Sequence, residues 1–81
     1  MPEQYVRVPK MGMSTVEVDV VDVSVAQGDV VAEDDPIAEV ESEKAVFVIR
    51  AVTAGTVTQV FVKVGDVVEV GTPVCKIELA T

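Results

Sequence analysis

A lysine in a short polar segment is the side chain of this sequence best suited to chemistry. Lys44 lies between Glu43 and Ala45, and apolar runs, Pro36–Val40 and Ala45–Ile49, flank the segment. Neighbouring carboxylates favour the charged amine, whereas an amine that attacks a substrate must be neutral. The pattern therefore favours a passive attachment point, modified by another enzyme, over a reactive amine. The simpler alternative is an ordinary solvated lysine at a turn.

Few other residues could support catalysis. The chain has no histidine, which removes the commonest general base at neutral pH and the commonest zinc ligand. A single cysteine, Cys75, allows no intrachain disulfide, and its apolar neighbours predict a small buried residue rather than a redox group. No nucleophile–base pair, metal-ligand cluster or phosphate-binding glycine loop appears in the sequence. We therefore predict no catalytic residue, no metal site and no enzymatic activity for the domain by itself.

The overall charge excludes several classes of partner. The 81 residues include 14 acidic and 6 basic side chains, for a formal charge of -8. Nucleic acid and anionic membranes repel such a surface, whereas basic patches of partner proteins attract it. No apolar run approaches the roughly 20 residues of a membrane-spanning helix, and no secretory signal is visible. We expect a cytoplasmic location, or an organellar matrix if a transit peptide lies outside this sequence.

The sequence repeats itself at an offset of 37 residues. The segment Val25–Val31 matches Val62–Val68, which places Gly28-Asp29 over Gly65-Asp66. Further matched pairs are Val20 with Val57, Val23 with Val60, Pro36 with Pro73, Ile37 with Val74, Ala38 with Cys75, Val40 with Ile77 and Glu41 with Glu78. Chance similarity between valine-rich stretches would preserve the valines but not the turn residues, so the pattern predicts two structurally related halves.

Valine-rich alternation predicts short strands rather than helices. Val18 and Val20 alternate with acids, and the parity then flips at Val21, as it does after Val57 in the second copy. A strand that changes parity needs a bulge or bend, which suggests that it turns a corner between two sheets. We expect an all-β fold: a flattened barrel or sandwich of two quasi-symmetric sheets, each of about four short strands.

The same symmetry predicts where Lys44 lies. Glu41 precedes the lysine turn, and its match Glu78 precedes the end of the chain. If a pseudo-twofold axis relates the halves, the turn at 41–45 is a tight β-hairpin on the side opposite the two termini. Lys44 would then lie at an exposed hairpin tip. The whole sequence, 1–81, would form a single domain with flexible termini over roughly 1–4 and 80–81.

The order of these motifs resembles the lipoyl domains of 2-oxo acid dehydrogenase complexes, in the biotinyl/lipoyl attachment family. Each motif alone is weak, but their order and spacing from Tyr5 to Leu79 are specific. The matching segments are Pro9–Glu17 with its methionine, glycine and serine, the Gly28-Asp29 turn, the Glu41–Ala45 centre with its lysine, the Ala51 and Gly55 pair, and the Gly65-Asp66 turn.

The resemblance implies a covalent cofactor. Lys44 would carry lipoic acid in amide linkage, as N6-lipoyl-lysine, attached by a lipoate ligase or by octanoyl transfer and sulfur insertion. A thiamine-diphosphate-dependent 2-oxo acid decarboxylase would reductively acylate the arm, an acyltransferase core would pass the acyl group to coenzyme A, and dihydrolipoamide dehydrogenase would reoxidise the dithiol. The domain would be a monomeric swinging-arm carrier, most simply part of a dihydrolipoamide acyltransferase.

The resemblance also implies recognition residues near Lys44. In the turn these are Glu41, Ser42, Glu43 and Ala45. The segment from Lys10 to Val16 matches a family loop beside the lipoyl-lysine, which implies that Met11, Gly12, Met13 and Ser14 help the decarboxylase recognise its carrier. An ordinary surface loop with Met11 in the core is the alternative. Departures from the family pattern are Glu43 for aspartate, Val18 for glycine, Val52 for proline and Asp34 for glycine.

Other interpretations stay open from the sequence alone. A biotin carboxyl carrier domain shares the expected fold, but methionines flank its modified lysine, where this chain has Glu43 and Ala45. An unmodified β-barrel scaffold or linker domain would make Lys44 dispensable. The glycine-cleavage carrier protein is longer and has additional helical segments. The sequence identifies neither the 2-oxo acid nor the component of the complex from which the domain comes.

Overall fold

Eight short strands form the fold of this chain in a computed structural model, which describes residues 2–9, 17–43 and 45–79. They are β1 (Glu3–Arg7), β2 (Glu17–Val23), β3 (Val30–Val31), β4 (Pro36–Glu41), β5 (Val46–Arg50), β6 (Gly55–Val60), β7 (Val67–Glu69) and β8 (Pro73–Leu79). The strands build two four-stranded antiparallel sheets, in the orders β1-β8-β6-β3 and β5-β4-β2-β7. The predicted all-β fold with two sheets of four strands is therefore confirmed, and the described residues contain no helix.

The sequence repeat relates one sheet to the other. Strands β2, β3 and β4 correspond to β6, β7 and β8, and β5 occupies the place in its sheet that β1 occupies in the other. Each sheet nevertheless takes strands from both copies, because β3 pairs with β6 and β7 pairs with β2. The two copies therefore interlock, and neither completes a sheet by itself.

Both predicted bends are present as bulges in long strands. The ladder between β2 and β4 shifts register between Val20 and Asp22, and the ladder between β6 and β8 shifts between Val57 and Gln59. The extra residue Val21 is 37% exposed although Val20 before it is only 2% exposed. An additional residue in one strand moves every later side chain of that strand to the opposite face of the sheet relative to the regular alternation, which explains the parity flip.

The expectation that these bent strands pass from one sheet to the other is wrong. Strand β2 pairs with β4 on both sides of its bulge, and β6 likewise pairs with β8 on both sides. A single bulge bends a strand without breaking its ladder. After β2 and β6 end, the chain crosses to the other sheet, through the connections 24–29 and 61–66 respectively.

Matching turns guide these crossings. Gly28 and Gly65 each adopt a φ of 97°, which a side chain would strain, and the following aspartate caps the turn. The Asp29 carboxylate accepts a hydrogen bond from the Ala26 amide at 2.9 Å, and the Asp66 carboxylate accepts one from the Lys63 amide at 3.0 Å. The Asp29 amide also donates to the Ala26 carbonyl and the Asp66 amide to the Lys63 carbonyl, both at 3.1 Å, so each glycine-aspartate pair ends a four-residue turn that is repeated in both copies.

The core between the sheets consists of small branched side chains at matching positions of the two copies. Val20 and Val57 are buried, as are Val40 and Ile77. Close packing of such side chains fixes the strands that carry them, and Val40 fixes the end of β4 beside the lysine turn. In the part of the chain that the structure describes, no helix has the length and apolar composition needed to cross a membrane.

Candidate functional site

The segment predicted to carry the cofactor joins β4 to β5 in a hairpin. Glu41 pairs with Val46, and the Ser42 amide donates a hydrogen bond to the Ala45 carbonyl at 2.8 Å. Only two residues of the chain, Glu43 and Lys44, therefore lie between the residues that close the turn. Lys44 itself lies outside the described residues, so its location at an exposed tip stays a prediction. The strand pairing on both sides agrees with a tight hairpin.

Ser42 is a buried residue of this hairpin. Its exposed fraction is 6%, and its Oγ donates a hydrogen bond to the Ala45 carbonyl at 3.2 Å. The neighbouring Glu41 and Glu43 are exposed. The predicted recognition roles of Glu41, Ser42, Glu43 and Ala45 are not tested by this geometry. It gives the glutamates an accessible position and gives Ser42 an internal contact.

Acidic side chains form rows on the outer face of the sheet that carries the hairpin. Asp19 on β2 lies directly opposite Glu41 on β4, and two pairs further along the ladder Asp22 lies opposite Glu39. Glu17 pairs with Glu69 on β7. Like charges directly opposite each other on one sheet face are destabilising. The face therefore maintains a negative potential beside the hairpin that would attract a cationic partner surface.

A small cleft of about 220 Å³ lies where this acidic face meets the hairpin. The residues that line it come from β2, β7, the end of β4 and the turn, namely Glu17, Val18, Asp19, Glu41, Ser42, Glu43 and Val67. Their carboxylates and the exposed edge of β7 make the cleft polar and anionic. Sequence reasoning did not single out Glu17 and Asp19, although their alternation with the buried Val18 and Val20 could have placed them on one outer face.

The second predicted recognition element is the segment that precedes β2. Met11, Gly12, Met13 and Ser14 all lie outside the described residues, as do the adjoining Lys10, Thr15 and Val16. Their proposed part in recognition stays a prediction.

Cys75 is fully buried in the core, as expected from its apolar surroundings. Burial raises the pKa of its thiol from 9.0 to about 11, because the thiolate would lose its solvation. A thiol in this state is a poor nucleophile at neutral pH. Its match in the first copy, Ala38, is buried at the equivalent place in the other sheet. Cys75 therefore acts as a core residue.

Comparison with protein families identifies one match over most of the chain. The model of the biotin/lipoyl family, described as "Biotin-requiring enzyme", matches residues 4–77. Among curated proteins, the acetyltransferase component of the pyruvate dehydrogenase complex of Haemophilus influenzae is 40% identical over 77 residues, which is 95% of this chain and 13% of the relative. The same component from Staphylococcus aureus is 39% identical over 72 residues, covering 89% of this chain and 17% of the relative.

Solved structures share the fold. The lipoyl domain of the 2-oxoglutarate dehydrogenase complex from Azotobacter vinelandii superimposes with a TM-score of 0.76 at 22% identity, covering 95% of this chain and 98% of that one. The Kluyveromyces lactis urea carboxylase contains a similar region, with a TM-score of 0.77 and 26% identity over 96% of this chain and 6% of that one. Because the two scores are nearly equal, the shape of the fold does not distinguish these two kinds of protein.

Proposed function

The chain belongs to the biotin/lipoyl family, and from this premise we propose that it is a lipoyl carrier domain with Lys44 as the attachment site. The observation that carries the proposal is the hairpin closed by Ser42 and Ala45, which leaves Glu43 and Lys44 between its strands. Covalent attachment requires one amine and access for a modifying enzyme. The exposed flanking residues Glu41 and Glu43 fit that requirement.

Two observations favour lipoic acid over biotin. The curated relatives are named as dihydrolipoyllysine-residue acetyltransferase components, a name that refers to a lipoylated lysine. The flanking residues Glu43 and Ala45 also lack the methionines of the biotin pattern. The fold similarity to a carboxylase keeps biotin as the second candidate.

By this proposal, the domain itself presents Lys44 to the enzymes that modify and use it. Pairing of β4 with β5 and burial of Val40 hold the base of the hairpin, and the acidic rows give its surroundings a fixed negative charge. When bound in amide linkage to Lys44, a lipoyl group supplies a dithiolane that accepts an acyl group and two electrons. The described residues contain no group of three or more potential metal-ligating side chains. On the proposed function, the chain acts as a carrier and its partner enzymes carry out the bond chemistry.

The relatives support a proposal for the parent protein and its partners. This chain spans less than a fifth of their length, at 13% and 17%. We propose that it comes from the acyltransferase component of a 2-oxo acid dehydrogenase complex, with pyruvate as the preferred 2-oxo acid. Its partners would be a lipoate ligase, the thiamine-dependent decarboxylase, the acyltransferase core and dihydrolipoamide dehydrogenase. A tether to the core keeps the arm at high effective concentration near each active site. The cytoplasmic location remains a prediction.

The proposal is tested by offering the purified chain two modifying enzymes. Incubation with lipoate, ATP and a lipoate ligase should add one lipoyl mass, whereas biotin, ATP and a biotin ligase should add nothing. The lipoylated chain should then accept label from [2-14C]pyruvate through the decarboxylase of a pyruvate dehydrogenase complex. This transfer should be faster than the transfer from labelled 2-oxoglutarate through the decarboxylase of a 2-oxoglutarate dehydrogenase complex. A biotin adduct as the sole product would support the second candidate. A chain that neither ligase modifies would contradict both and favour a scaffold domain.

A further inference from the structure

The backbone hydrogen bond at Ser42 has a counterpart elsewhere in the fold, and the comparison shows what the buried Ser42 hydroxyl adds. In the turn, the Ser42 amide donates to the Ala45 carbonyl at 2.8 Å. At the symmetry-related place, where the two ends of the chain meet, the Leu79 amide donates to the Pro2 carbonyl at 2.9 Å. The repeat therefore closes both sites with the same backbone hydrogen bond.

The lysine hairpin has an additional bond. The Ser42 Oγ donates to the same Ala45 carbonyl at 3.2 Å, whereas the corresponding residue Leu79 has no hydroxyl to donate. Ser42 is only 6% exposed, so water has little access to the hydroxyl and competes little with this hydrogen bond. Because the fold closes the equivalent site without a hydroxyl, the Ser42 hydroxyl is not required to pair the strands.

Two donors from one residue restrain the acceptor more than one donor does. The amide fixes the distance between Ser42 and the Ala45 carbonyl, and the Oγ, approaching from a second direction, restrains the rotation of that peptide group. The peptide group that contains the Ala45 carbonyl lies one residue after the two-residue span of Glu43 and Lys44. Its orientation therefore limits the conformations that this span can adopt.

We infer that Ser42 is a positioning residue, whose hydroxyl holds the turn in the conformation that the modifying enzyme recognises. This inference rests on the proposed function of Lys44 as the attachment site. Ser42 would then contribute to recognition through its internal hydrogen bond and not through a surface contact with the ligase. The ligase would bind the turn conformation that this bond stabilises. Threonine would preserve the effect, because it carries a hydroxyl at the same position.

The test compares Ser42→Thr with Ser42→Val, which have the same shape and differ in the hydroxyl. The first readout is hydrogen exchange of the residue 42 amide in the unmodified chain. Exchange should be about fivefold faster in the valine variant than in the threonine variant, the factor expected for loss of one net hydrogen bond. The second readout is the kinetics of lipoylation. KM should rise by up to about fivefold in the valine variant with kcat unchanged, because the turn adopts a wider range of conformations and the ligase binds only one of them.

A core variant separates positioning from a general loss of stability. Ile77→Val removes a methylene from the fully buried side chain of Ile77 in the other sheet, so it destabilises the fold without touching the hairpin. It should leave the KM of lipoylation unchanged. Equal exchange rates and equal KM values for Ser42→Thr and Ser42→Val would overturn the inference. Failure of the unchanged chain to be modified at Lys44 would instead overturn the proposed function, and the exchange comparison would still report on the bond.

Discussion

Asp19 and Glu41 lie directly opposite each other on neighbouring strands, both exposed on the sheet face that leads into the lysine hairpin. Such a pair costs stability, because two carboxylates repel each other at cross-strand distance. A fold that places like charges together next to its proposed working residue sacrifices stability there, and sites of this kind are candidates for function.

Neutralising one member of this pair should separate stability from recognition. Glu41→Gln removes the repulsion with Asp19, so the free energy of unfolding should rise by roughly 0.2–1 kcal/mol. The same change should slow lipoylation at low ionic strength by about twofold to fivefold, because it weakens the attraction for a cationic partner. Urea unfolding and initial rates of modification measure the two effects.

Glu78→Gln is the matched control for this substitution. Glu78 is the repeat counterpart of Glu41 and also lies opposite an acid, Glu3, but on the other sheet. Its neutralisation should leave the rate of modification unchanged at every salt concentration. Equal slowing by both substitutions would show that net charge, and not the acidic face beside the hairpin, determines the rate.

Gly55 is predicted to tolerate no side chain. A Cβ built there would collide with the backbone carbonyl of Glu78 and approach Cγ2 of Ile77 to 2.7 Å. Gly55→Ala should therefore force β6 away from β8 and cost roughly 2–3 kcal/mol or more in urea unfolding. Gly28→Ala should cost only about 1 kcal/mol, because its surroundings are open and only its φ of 97° is unfavourable. A larger loss at Gly28 than at Gly55 would contradict this assignment.

Cys75 should make stability fall at alkaline pH. The pKa of its thiol is about 11 in the fold and 9.0 when exposed, so below pH 9 both states keep the proton and no dependence arises. Above pH 9 the unfolded chain loses the proton first, and stability decreases until the folded thiol also ionises near pH 11, by at most about 3 kcal/mol. Unfolding free energies of the wild type and Cys75→Ala between pH 7 and 10.5 measure the difference.

The alanine variant is suitable because the fold already uses alanine at the equivalent place, Ala38. Its stability should lack the thiol contribution to the alkaline slope while other titrating groups remain. Parallel curves for the two proteins over the whole range would refute a buried, protonated Cys75.

Much of the fold could be predicted from local patterns. The Gly28-Asp29 and Gly65-Asp66 turns have a conformational requirement that glycine meets, so their sequence signal is direct. The bulges were also predictable, because a parity flip must occur wherever a strand gains one residue. The pairing of β3 with β6 and of β7 with β2 could not be predicted. Strands of two and three residues contain too little sequence pattern to specify a partner.

The site was only partly predictable for a related reason. The hairpin at 41–46 follows from a polar segment between two apolar runs. The acidic rows require knowledge of which strands are neighbours, since Glu17 meets Glu69 only through the pairing of β2 with β7. The burial of Ser42 depends on the packing of the whole hairpin, and a serine in a polar segment gives no signal of it.

The position of the lysine on the hairpin should decide whether it is modified. Exchanging the two central residues, by Glu43→Lys together with Lys44→Glu, preserves composition and charge but moves the amine by one residue. We expect modification to be abolished, because the amine would leave the turn at a different angle. Unfolding measurements on the exchanged chain would show that the fold is retained. Full modification of this variant would show that presentation does not determine recognition.

Peptide mapping of the modified chain tests the central claim most directly. After incubation with lipoate, ATP and a lipoate ligase, the digested protein should contain the lipoyl adduct on Lys44 and unmodified peptides around Lys10, Lys63 and Lys76. The variant Lys44→Arg, which keeps the charge but lacks the amine, should acquire no adduct. An adduct on any other lysine, or modification of Lys44→Arg to the extent seen in the wild type, would contradict the assignment of Lys44 as the carrier residue.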